Sequence, residues 1–310
     1  MAARNTILVA LLIVTALLAL AAARAYPTTD LFCFLTASRL VTEGGDPYDA
    51  RTWSVATAGT FPDYRGVPRA TPCPGRFGYP LWTALALIPL TWLGLAAPIA
   101  WQVLLFAGMA IGSRTLAGAA GHADRGAALA LVVVASQPFW LTVLNAQFGG
   151  VLLASLGISA ALLARRPTAA GVALAVGLLK PHVVALALVL APLRELRRGR
   201  PRIAVVLLGA FALATALSLA VRPSWPSEYV TELVENRSDQ TAAATSLVGL
   251  SSFFTGSPLA GAVLAVAVLA VTLLLLRGRS LDGTELIAAA AAASLVASPY
   301  LGSHDELLLA

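Results

Sequence analysis

The sequence predicts an all-α protein, a polytopic transmembrane helical bundle. Hydrophobic residues make up 58% of the 310 residues and charged residues only 12%, whereas soluble chains carry about 25% charge. The mean hydropathy is +0.82, and uncharged apolar runs recur that approach the length needed to span a bilayer. These observations exclude a soluble globular protein, and they also exclude disorder, which requires low hydrophobicity and high charge.

The net charge of +6 comes from 21 basic and 15 acidic residues. A basic excess can indicate nucleic-acid binding. Here the arginines lie in short clusters between apolar runs, as membrane topology signals do. We therefore expect membrane lipid around the chain and no nucleic-acid partner.

The first predicted element, residues 1–25, is an uncleaved signal anchor with the apolar core Thr6–Ala23. The sequence Ala23-Arg24-Ala25 resembles a signal-peptidase site, so a cleaved signal peptide is the alternative. The anchor is favoured because the apolar core is long for a signal peptide and further spans follow it.

Residues 26–97 are predicted to form a long extracytoplasmic loop, because the stretch up to Gly78 lacks an apolar run long enough to span. The loop ends in Tyr79–Ala97, an apolar segment interrupted by Pro80 and Pro89. We interpret this segment as a broken interfacial helix, since proline in a helix interior removes a hydrogen bond.

Residues 98–221 are predicted to form the transmembrane bundle. Its apolar runs are Pro98–Ser113, Gly126–Leu144, Phe148–Ala164, Ala169–Leu193 and Ile203–Val221. The run 169–193 contains Lys180-Pro181, so we expect a short helical hairpin with its apex there. Each arm of that hairpin is about half of a normal span.

Two further parts complete the predicted organisation. Residues 222–257 form a second extracytoplasmic loop, and residues 258–310 carry the C-terminal apolar runs Leu259–Leu276 and Glu285–Val296. The sequence stops at Ala310 in the middle of a predicted helix, which a truncated product or a shortened form of the protein would both explain.

The arginine distribution sets the predicted orientation, because cytoplasmic loops carry an excess of Lys and Arg. With Tyr79–Ala97 on the outer surface and Ala169–Leu193 as a hairpin, 12 of the 21 basic residues face the cytoplasm in small loops. Eleven of the 15 acidic residues then lie outside. Letting both segments span would leave fewer arginines inside, so the hairpin topology fits better.

Asp30 follows the first predicted helix, at the membrane surface. A carboxylate in that position could act as a general base toward a hydroxyl group. The alternative is an N-cap of a following helix, Leu31–Glu43, because aspartate is favoured at N-caps. The two roles are compatible.

Lys180 is the only lysine of the chain and lies inside an apolar stretch. A lysine at the bilayer centre costs roughly 2.5–3.5 kcal/mol on insertion scales, so an intramembrane charge indicates function by default. At the outer apex of a short hairpin a phosphate would be its natural partner. The alternative is a snorkelling surface lysine.

Two polar turns lie on the same predicted side as Asp30. Gly44-Gly45-Asp46-Pro47-Tyr48-Asp49 has turn chemistry, and Asn145-Ala146-Gln147-Phe148-Gly149-Gly150 separates two predicted spans. Side-chain amides in the second turn can hydrogen-bond a sugar hydroxyl or a phosphate. A purely structural turn is the alternative for both.

Histidines and cysteines add two further candidates. The pair His304-Asp305 could bind phosphate, assist proton transfer or ligate a metal. The three histidines are too scattered for a metal site, so we expect no metal and no cofactor. Cys33 and Cys73 fall in the same outer region, where a disulfide is chemically permitted; two buried free thiols are the alternative.

Six short motifs occur in an order that identifies a family resemblance. They are Asp30 after the first helix, Gly44-Gly45-Asp46-Pro47-Tyr48, Phe77-Gly78-Tyr79-Pro80, Ala146-Gln147-Phe148, Leu179-Lys180-Pro181, and Ser298-Pro299-Tyr300 with His304-Asp305. In this order they resemble glycosyltransferase family 87, over nearly the whole chain from Ala25 on. The sequence departs from the family pattern at Ala146, where members commonly have glycine.

The resemblance implies a GT-C-like bundle and a polyprenyl-phosphate-hexose-dependent glycosyltransferase, since the family includes mannosyltransferases of this kind. It implies a polyprenyl-phosphate sugar as donor and a lipid or glycan hydroxyl as acceptor. Transfer would take place on the extracytoplasmic side of the cell inner membrane, with inversion and with Asp30 as the base.

The donor phosphate requires a cation at the interface. Lys180 is best placed to supply it, helped by Arg39, His182 or His304. Further candidates for binding substrate are Asp46, Tyr48, Tyr79, Asn145, Gln147 and Asp305. The alternative function is a transporter or lipid flippase, because broken helices and an intramembrane cation also suit transport. A non-catalytic membrane subunit is a third possibility.

Overall fold

The computed structural model of the chain describes residues 16–17, 20–21, 24–59, 61–62, 68–69, 73, 75–235, 246–277, 282–298 and 308. The predicted anchor core Thr6–Ala23, apart from isolated residues, lies outside them. So do Pro299, Tyr300, His304 and Asp305.

The described residues are helical except for one short strand pair and the connections. The α-helices are α1 (Asp30–Thr42), α2 (Ala50–Ala56), α3 (Leu81–Thr91), α4 (Ala97–Ala119), α5 (Gly126–Ala135), α6 (Gln137–Leu144), α7 (Gly149–Leu162), α8 (Pro167–Ala175), α9 (Ala185–Arg197), α10 (Arg202–Val221), α11 (Trp225–Glu235), α12 (Leu247–Thr255), α13 (Leu259–Arg277) and α14 (Gly283–Ala297). Short 3₁₀ helices occupy Tyr26–Thr28, Gly94–Ala96, Ala123–Arg125, Val176–Leu179 and Pro181–Val183. Strands β1 (Phe61–Pro62) and β2 (Pro68–Arg69) pair antiparallel within the first loop. The helical character of the prediction is confirmed.

Two described helical stretches are long and apolar enough to cross a membrane. They are Gly94–Ala119 and Arg202–Val221. Five further apolar helices have 10–17 residues, among them the arm Pro167–Leu179 and the C-terminal Gly283–Ala297. Many of the large apolar side chains of α10 and α13 face outward, as a lipid-facing surface requires.

The predicted span Gly126–Leu144 is not one helix but two, α5 and α6. The break falls at Ser136, whose backbone is extended with ψ 145° and whose hydroxyl accepts a hydrogen bond from Phe139 N at 3.4 Å. Pro138 follows in the first turn of α6. In a continuous helix its ring would clash with the carbonyl of Val134, four residues earlier, so the chain starts a new helix instead.

The proline positions in Tyr79–Ala97 also require a correction. Pro80 is the N-cap of α3, but Pro89 lies inside the helix and does not end it. The helix ends two residues later, at Thr91, and a 3₁₀ turn over Gly94–Ala96 leads into α4. The hydroxyl of Ser38 in α1 donates to the carbonyl of Ala84 in α3 at 2.8 Å, which ties α3 to α1.

Helices α4 and α7 pack backbone against backbone at the centre of the bundle. A Cβ atom on Gly108 would lie 2.5 Å from Gly150 O, and one on Gly112 would lie 2.7 Å from the carbonyl carbon of Leu153. Only glycine fits at such distances, and small residues at interfaces are how membrane helices approach closely. This contact fixes α7, and with it the turn at residues 145–148 that begins it.

The chain reverses direction at Lys180, between α8 and α9. Gly171, near the start of α8, packs against Ile203 and Val206 in the first turns of α10. Helix α9 ends at Arg197, five residues before α10 begins. The start of α8 and the end of α9 therefore lie beside the start of α10, and the break at Lys180 lies at the opposite end of the two arms.

Candidate active site

Asp30 is the first residue of α1, and the N-cap is Thr29. The N-cap interpretation of Asp30 is therefore wrong, since the helix begins one residue earlier than predicted. A carboxylate in the first turn still interacts favourably with the helix dipole. The backbone N–H of Asp30 donates to the carbonyl of Asn145 at 3.1 Å, so the start of α1 is anchored to the turn between α6 and α7.

The turn between α6 and α7 is held by α4. The indole of Trp101 donates to the carbonyl of Ala146 at 2.8 Å, and the amide of Gln102 donates to the carbonyl of Val143 at 3.0 Å. Ala146 has φ +52°, in the left-handed region, which glycine adopts at less cost than alanine. This conformation is a physical reason for glycine at this position in the family pattern. The bend turns Gln147 toward Asp30.

The break at Lys180 is held by α3. The indole of Trp82 donates to the carbonyl of Leu178 at 2.8 Å, and the hydroxyl of Thr83 donates to the carbonyl of Leu179 at 3.0 Å. These bonds satisfy carbonyl groups at the end of the 3₁₀ helix, which has no following turn to supply donors. They fix the backbone from which the Lys180 side chain projects inward.

A chain of hydrogen bonds joins Lys180, Gln147 and Asp30. Lys180 Nζ donates to Gln147 Oε1 at 3.2 Å, and Gln147 Nε2 donates a short hydrogen bond to Asp30 Oδ2. The same nitrogen lies 3.4 Å from the hydroxyl of Tyr79. Lys180 and Gln147 are each only 3% exposed, so the snorkelling alternative for Lys180 is wrong. A side-chain amide suits this position because it both accepts from the ammonium and donates to the carboxylate.

Aromatic rings form one wall beside these polar groups. The ring of Phe34 lies 4.9 Å from that of Tyr79 and 4.8 Å from that of Phe148, and the Trp101 ring lies 5.3 Å from Phe148. The Phe34–Tyr79 and Trp101–Phe148 pairs are edge-to-face, an arrangement that is favourable beyond the area it buries. The aromatic cluster therefore packs beside Gln147, through Tyr79 and Phe148.

Cys33 and Cys73 form a disulfide that ties α1 to the connection between β2 and α3. Cys33 lies three residues after Asp30, one helical turn along α1. Cys73 O also accepts a hydrogen bond from the buried indole of Trp53 at 3.2 Å. The bond therefore fixes the first turn of α1 against the loop.

Replacing both Cys33 and Cys73 with serine is expected to lower the free energy of unfolding by about 3–4 kcal/mol, because the disulfide closes a loop with a sequence separation of 40. Thermal melting of purified protein, with and without reductant, measures the effect. Reductant should lower the melting temperature of wild type and leave that of the double serine variant unchanged. Equal melting of the oxidised and reduced wild-type protein would contradict the prediction.

Asp46 and Tyr48 lie in a second cluster, which meets the hydrogen-bonded chain at Tyr79. Asp46 accepts from the backbone N–H of Tyr48 at 2.8 Å and forms an ion pair with Arg222. Arg222 also makes a two-point contact with Glu228 in α11, at 2.5 and 2.6 Å. Burial raises the pKa of Asp46, and the hydrogen bond from Arg222 lowers the pKa of Glu228. The hydroxyl of Tyr48 donates to the carbonyl of Tyr79 at 2.5 Å. The cluster thus joins the predicted turn, the residue before the N-cap of α3, and α11.

The other residues predicted to bind substrate or the donor phosphate lie at different distances from Asp30 and Lys180. Asn145 supplies its backbone carbonyl to Asp30. His182 is half-buried, two residues beyond Lys180 in the same break. Arg39 is exposed in the last turn of α1, nine residues from Asp30 and therefore about 13 Å away along the helix axis. His304 and Asp305 lie outside the described residues.

Sequence analysis did not single out the residues that orient the polar groups. Trp82, Thr83 and Trp101 donate to the backbone at the two breaks, and Arg222 binds the first loop. A tryptophan in an apolar helix resembles an ordinary core or interface residue, so the sequence around it does not indicate which group its indole N–H will bond. Within the described part of the chain, no three His, Cys, Asp or Glu side chains lie together as metal ligands would.

Comparison with known proteins gives one family. The family described as glycosyltransferase family 87 matches residues 77–299, a range that contains Tyr79, Gln147 and Lys180 but not Asp30. Searches of curated proteins and of solved structures found no match. Members of the family are typically membrane-associated glycosyltransferases. Because the match covers more than half of the 310 residues, this chain belongs to glycosyltransferase family 87.

Proposed function

We propose that this protein transfers a hexose, which the family resemblance indicates to be mannose, from a polyprenyl-phosphate donor to a hydroxyl group of a lipid or glycan acceptor. The observation that supports it is the hydrogen-bonded chain Lys180–Gln147–Asp30, in which Lys180 and Gln147 are buried and Asp30 is half-buried. It presents a cation suited to the donor phosphate and, on the other side of an amide, a carboxylate suited to the acceptor hydroxyl.

In the proposed reaction the acceptor oxygen attacks the anomeric carbon as its proton passes to the carboxylate of Asp30. The bond between the anomeric carbon and the phosphate oxygen breaks, and the electron pair leaves with polyprenyl phosphate. Negative charge develops on that phosphate, and the preorganised ammonium of Lys180 lowers the barrier by stabilising it. Attack opposite to the leaving group inverts the configuration at the anomeric carbon.

An assay of purified protein with a set of polyprenyl-phosphate sugars tests this function. The expected result is transfer of one hexose to a lipid or glycan acceptor, with release of polyprenyl phosphate. The absence of transfer from every donor, together with movement of a lipid across the bilayer, would favour a flippase instead.

We further propose that the protein is a multi-pass protein of the cell inner membrane, with Asp30 on the extracytoplasmic side. Two observations support this topology. Arg114, Arg165 and Arg194, which the charge distribution assigns to the cytoplasm, lie near one another at one end of the bundle. Asp30 and Lys180 lie at the other end, since α9 runs from the break at Lys180 to Arg194.

Cysteine labelling tests the topology. Ser54→Cys in the exposed outer helix α2 should react with a membrane-impermeant maleimide in intact cells, whereas Arg197→Cys should react only after the cells are opened. Arg197 is preferred over Gly199, whose φ of +72° disfavours a side chain. The native cysteines are joined in a disulfide and should give a low background. Labelling of Arg197→Cys from outside would contradict the topology.

A further inference from the structure

A cavity lies between the ends of α4, α7 and α9 and the start of α14. Its volume is about 620 Å³. The charged residues of its wall, within the described part of the chain, are Arg114, Arg165, Arg194, Arg198, Glu195 and Asp282. From the level of Trp101, which contacts the turn beside Gln147, to Arg114 the helix α4 rises about 20 Å. The cavity is therefore separate from the candidate active site.

Both carboxylates of the wall are already engaged by the protein. Glu195, only 1% exposed, accepts a hydrogen bond from Arg194 at 2.9 Å and lies 3.7 Å from a guanidinium nitrogen of Arg198. Asp282 accepts from the backbone N–H groups of Thr284 and Glu285, at 2.7 and 2.8 Å, and so caps α14. Both carboxylates are therefore paired with groups of the cavity wall itself.

The arginines exceed the acids in this wall by four to two. Arg114 and Arg165 are exposed, and neither forms an ion pair with another described residue. Glu195 fixes the position of Arg194 and Arg198 from behind. The cavity is thus a positively charged pocket whose arginines come from α4, from the turn after α7 and from the end of α9.

We propose that this cavity binds a phosphate-bearing ligand, either a soluble phosphorylated molecule or the headgroup of an anionic phospholipid. The guanidinium fork matches phosphate oxygens at two points, and this match makes arginine a common residue of phosphate sites. A volume of about 620 Å³ lies in the range of small-molecule sites and exceeds what a bare phosphate would fill.

Arginines at this end of the bundle also serve membrane topology, so the test must separate a site from a general positive surface. The sequence offers a matched control. Arg165 and Arg114 belong to the wall, whereas Arg166 and Arg197 are exposed residues outside it. Replacing either pair with glutamine removes two positive charges from the same end of the molecule.

The full chain is purified in maltoside micelles, and two probes are used. Calorimetry measures the binding of inorganic pyrophosphate, and native mass spectrometry measures retention of phosphatidylglycerol against phosphatidylcholine. We expect saturable binding of at least one probe. The double variant Arg114→Gln with Arg165→Gln should weaken it about tenfold or more, because two charge-assisted contacts are lost. The double variant Arg166→Gln with Arg197→Gln should stay within about twofold, because its charges lie outside the wall.

Binding of pyrophosphate alone supports a soluble ligand, and retention of phosphatidylglycerol alone supports a lipid headgroup. Equal weakening by the two double variants, or no saturable binding of either probe, would overturn the proposal. Thermal melting of each variant checks that the fold is intact. Asp30→Asn should leave binding of both probes unchanged, so failure of the proposed sugar transfer and failure of this site are distinguishable.

Discussion

Replacing Asp30 with asparagine is expected to lower sugar transfer by at least two orders of magnitude while the protein still folds and inserts. A hydroxyl group is a poor nucleophile at neutral pH, and a positioned base typically contributes about 10²–10⁴-fold to its attack. Asparagine has the same size and can still accept the hydrogen bond from Gln147 through its amide oxygen. It cannot take up the proton, so turnover falls whereas binding of the donor remains. Transfer assays with a fixed polyprenyl-phosphate sugar measure the loss.

The matched control for this change is Asp49→Asn. Asp49 is an aspartate of the same outer region, and its carboxylate caps α2 by accepting from Thr52 N at 2.7 Å. Asparagine caps helices about as well, so this variant should keep wild-type activity. Unchanged transfer in Asp30→Asn would remove Asp30 from the mechanism. Loss of folding in that variant would assign it a structural role at the start of α1.

Replacing Lys180 with methionine is expected to lower kcat/KM for the donor about 10- to 100-fold. A hydrogen bond to a charged group contributes about 1.5–3 kcal/mol, and this one would strengthen as charge develops on the leaving phosphate. Both a raised KM and a lowered kcat are therefore expected. Methionine fills a similar buried volume without charge, so the fold should persist. Steady-state kinetics with varied donor concentration separates the two parameters.

Two further variants show whether the loss in Lys180→Met comes from the missing charge at this position. Lys180→Arg keeps the charge and should retain part of both parameters, with some loss because the planar guanidinium does not reproduce the geometry of an ammonium. Arg166→Met removes an exposed cation at the opposite end of the bundle and should have no effect on the donor. Normal kinetics of Lys180→Met would mean that the ammonium stabilises the buried amide of Gln147 and does not bind the donor.

Local chemistry explains why parts of the site could be predicted. The break at Lys180-Pro181 follows from the missing N–H of proline, and the turn at Asn145–Gly150 follows from residues that favour turns. The disulfide partners were the only two cysteines of the chain. Each of these features depends on a few neighbouring residues or on composition, so no knowledge of packing was needed.

Packing decided which predicted residues meet. Gln147 contacts Asp30 across 117 residues and Lys180 across 33, because α4 holds the turn before α7 and α3 holds the break before α9. Asp46 and Tyr48 lie in a similar polar turn, yet Asp46 pairs with Arg222 and Tyr48 bonds to the backbone at Tyr79. Nothing in the spacing of these motifs distinguishes the two outcomes.

The sequence by itself determined the apolar helical class, the family resemblance and two of the helix breaks, at Lys180 and at residues 145–148, since these depend on hydropathy and on backbone chemistry within a few residues. Only the tertiary structure decided that an amide links the single lysine to Asp30, and that arginines from α4, from the turn after α7 and from the end of α9 line a cavity at the opposite end of the bundle. Both arrangements require the close approach of α4 and α7 at Gly108 and Gly150. Such contacts depend on how distant surfaces fit together, and no local pattern encodes that fit.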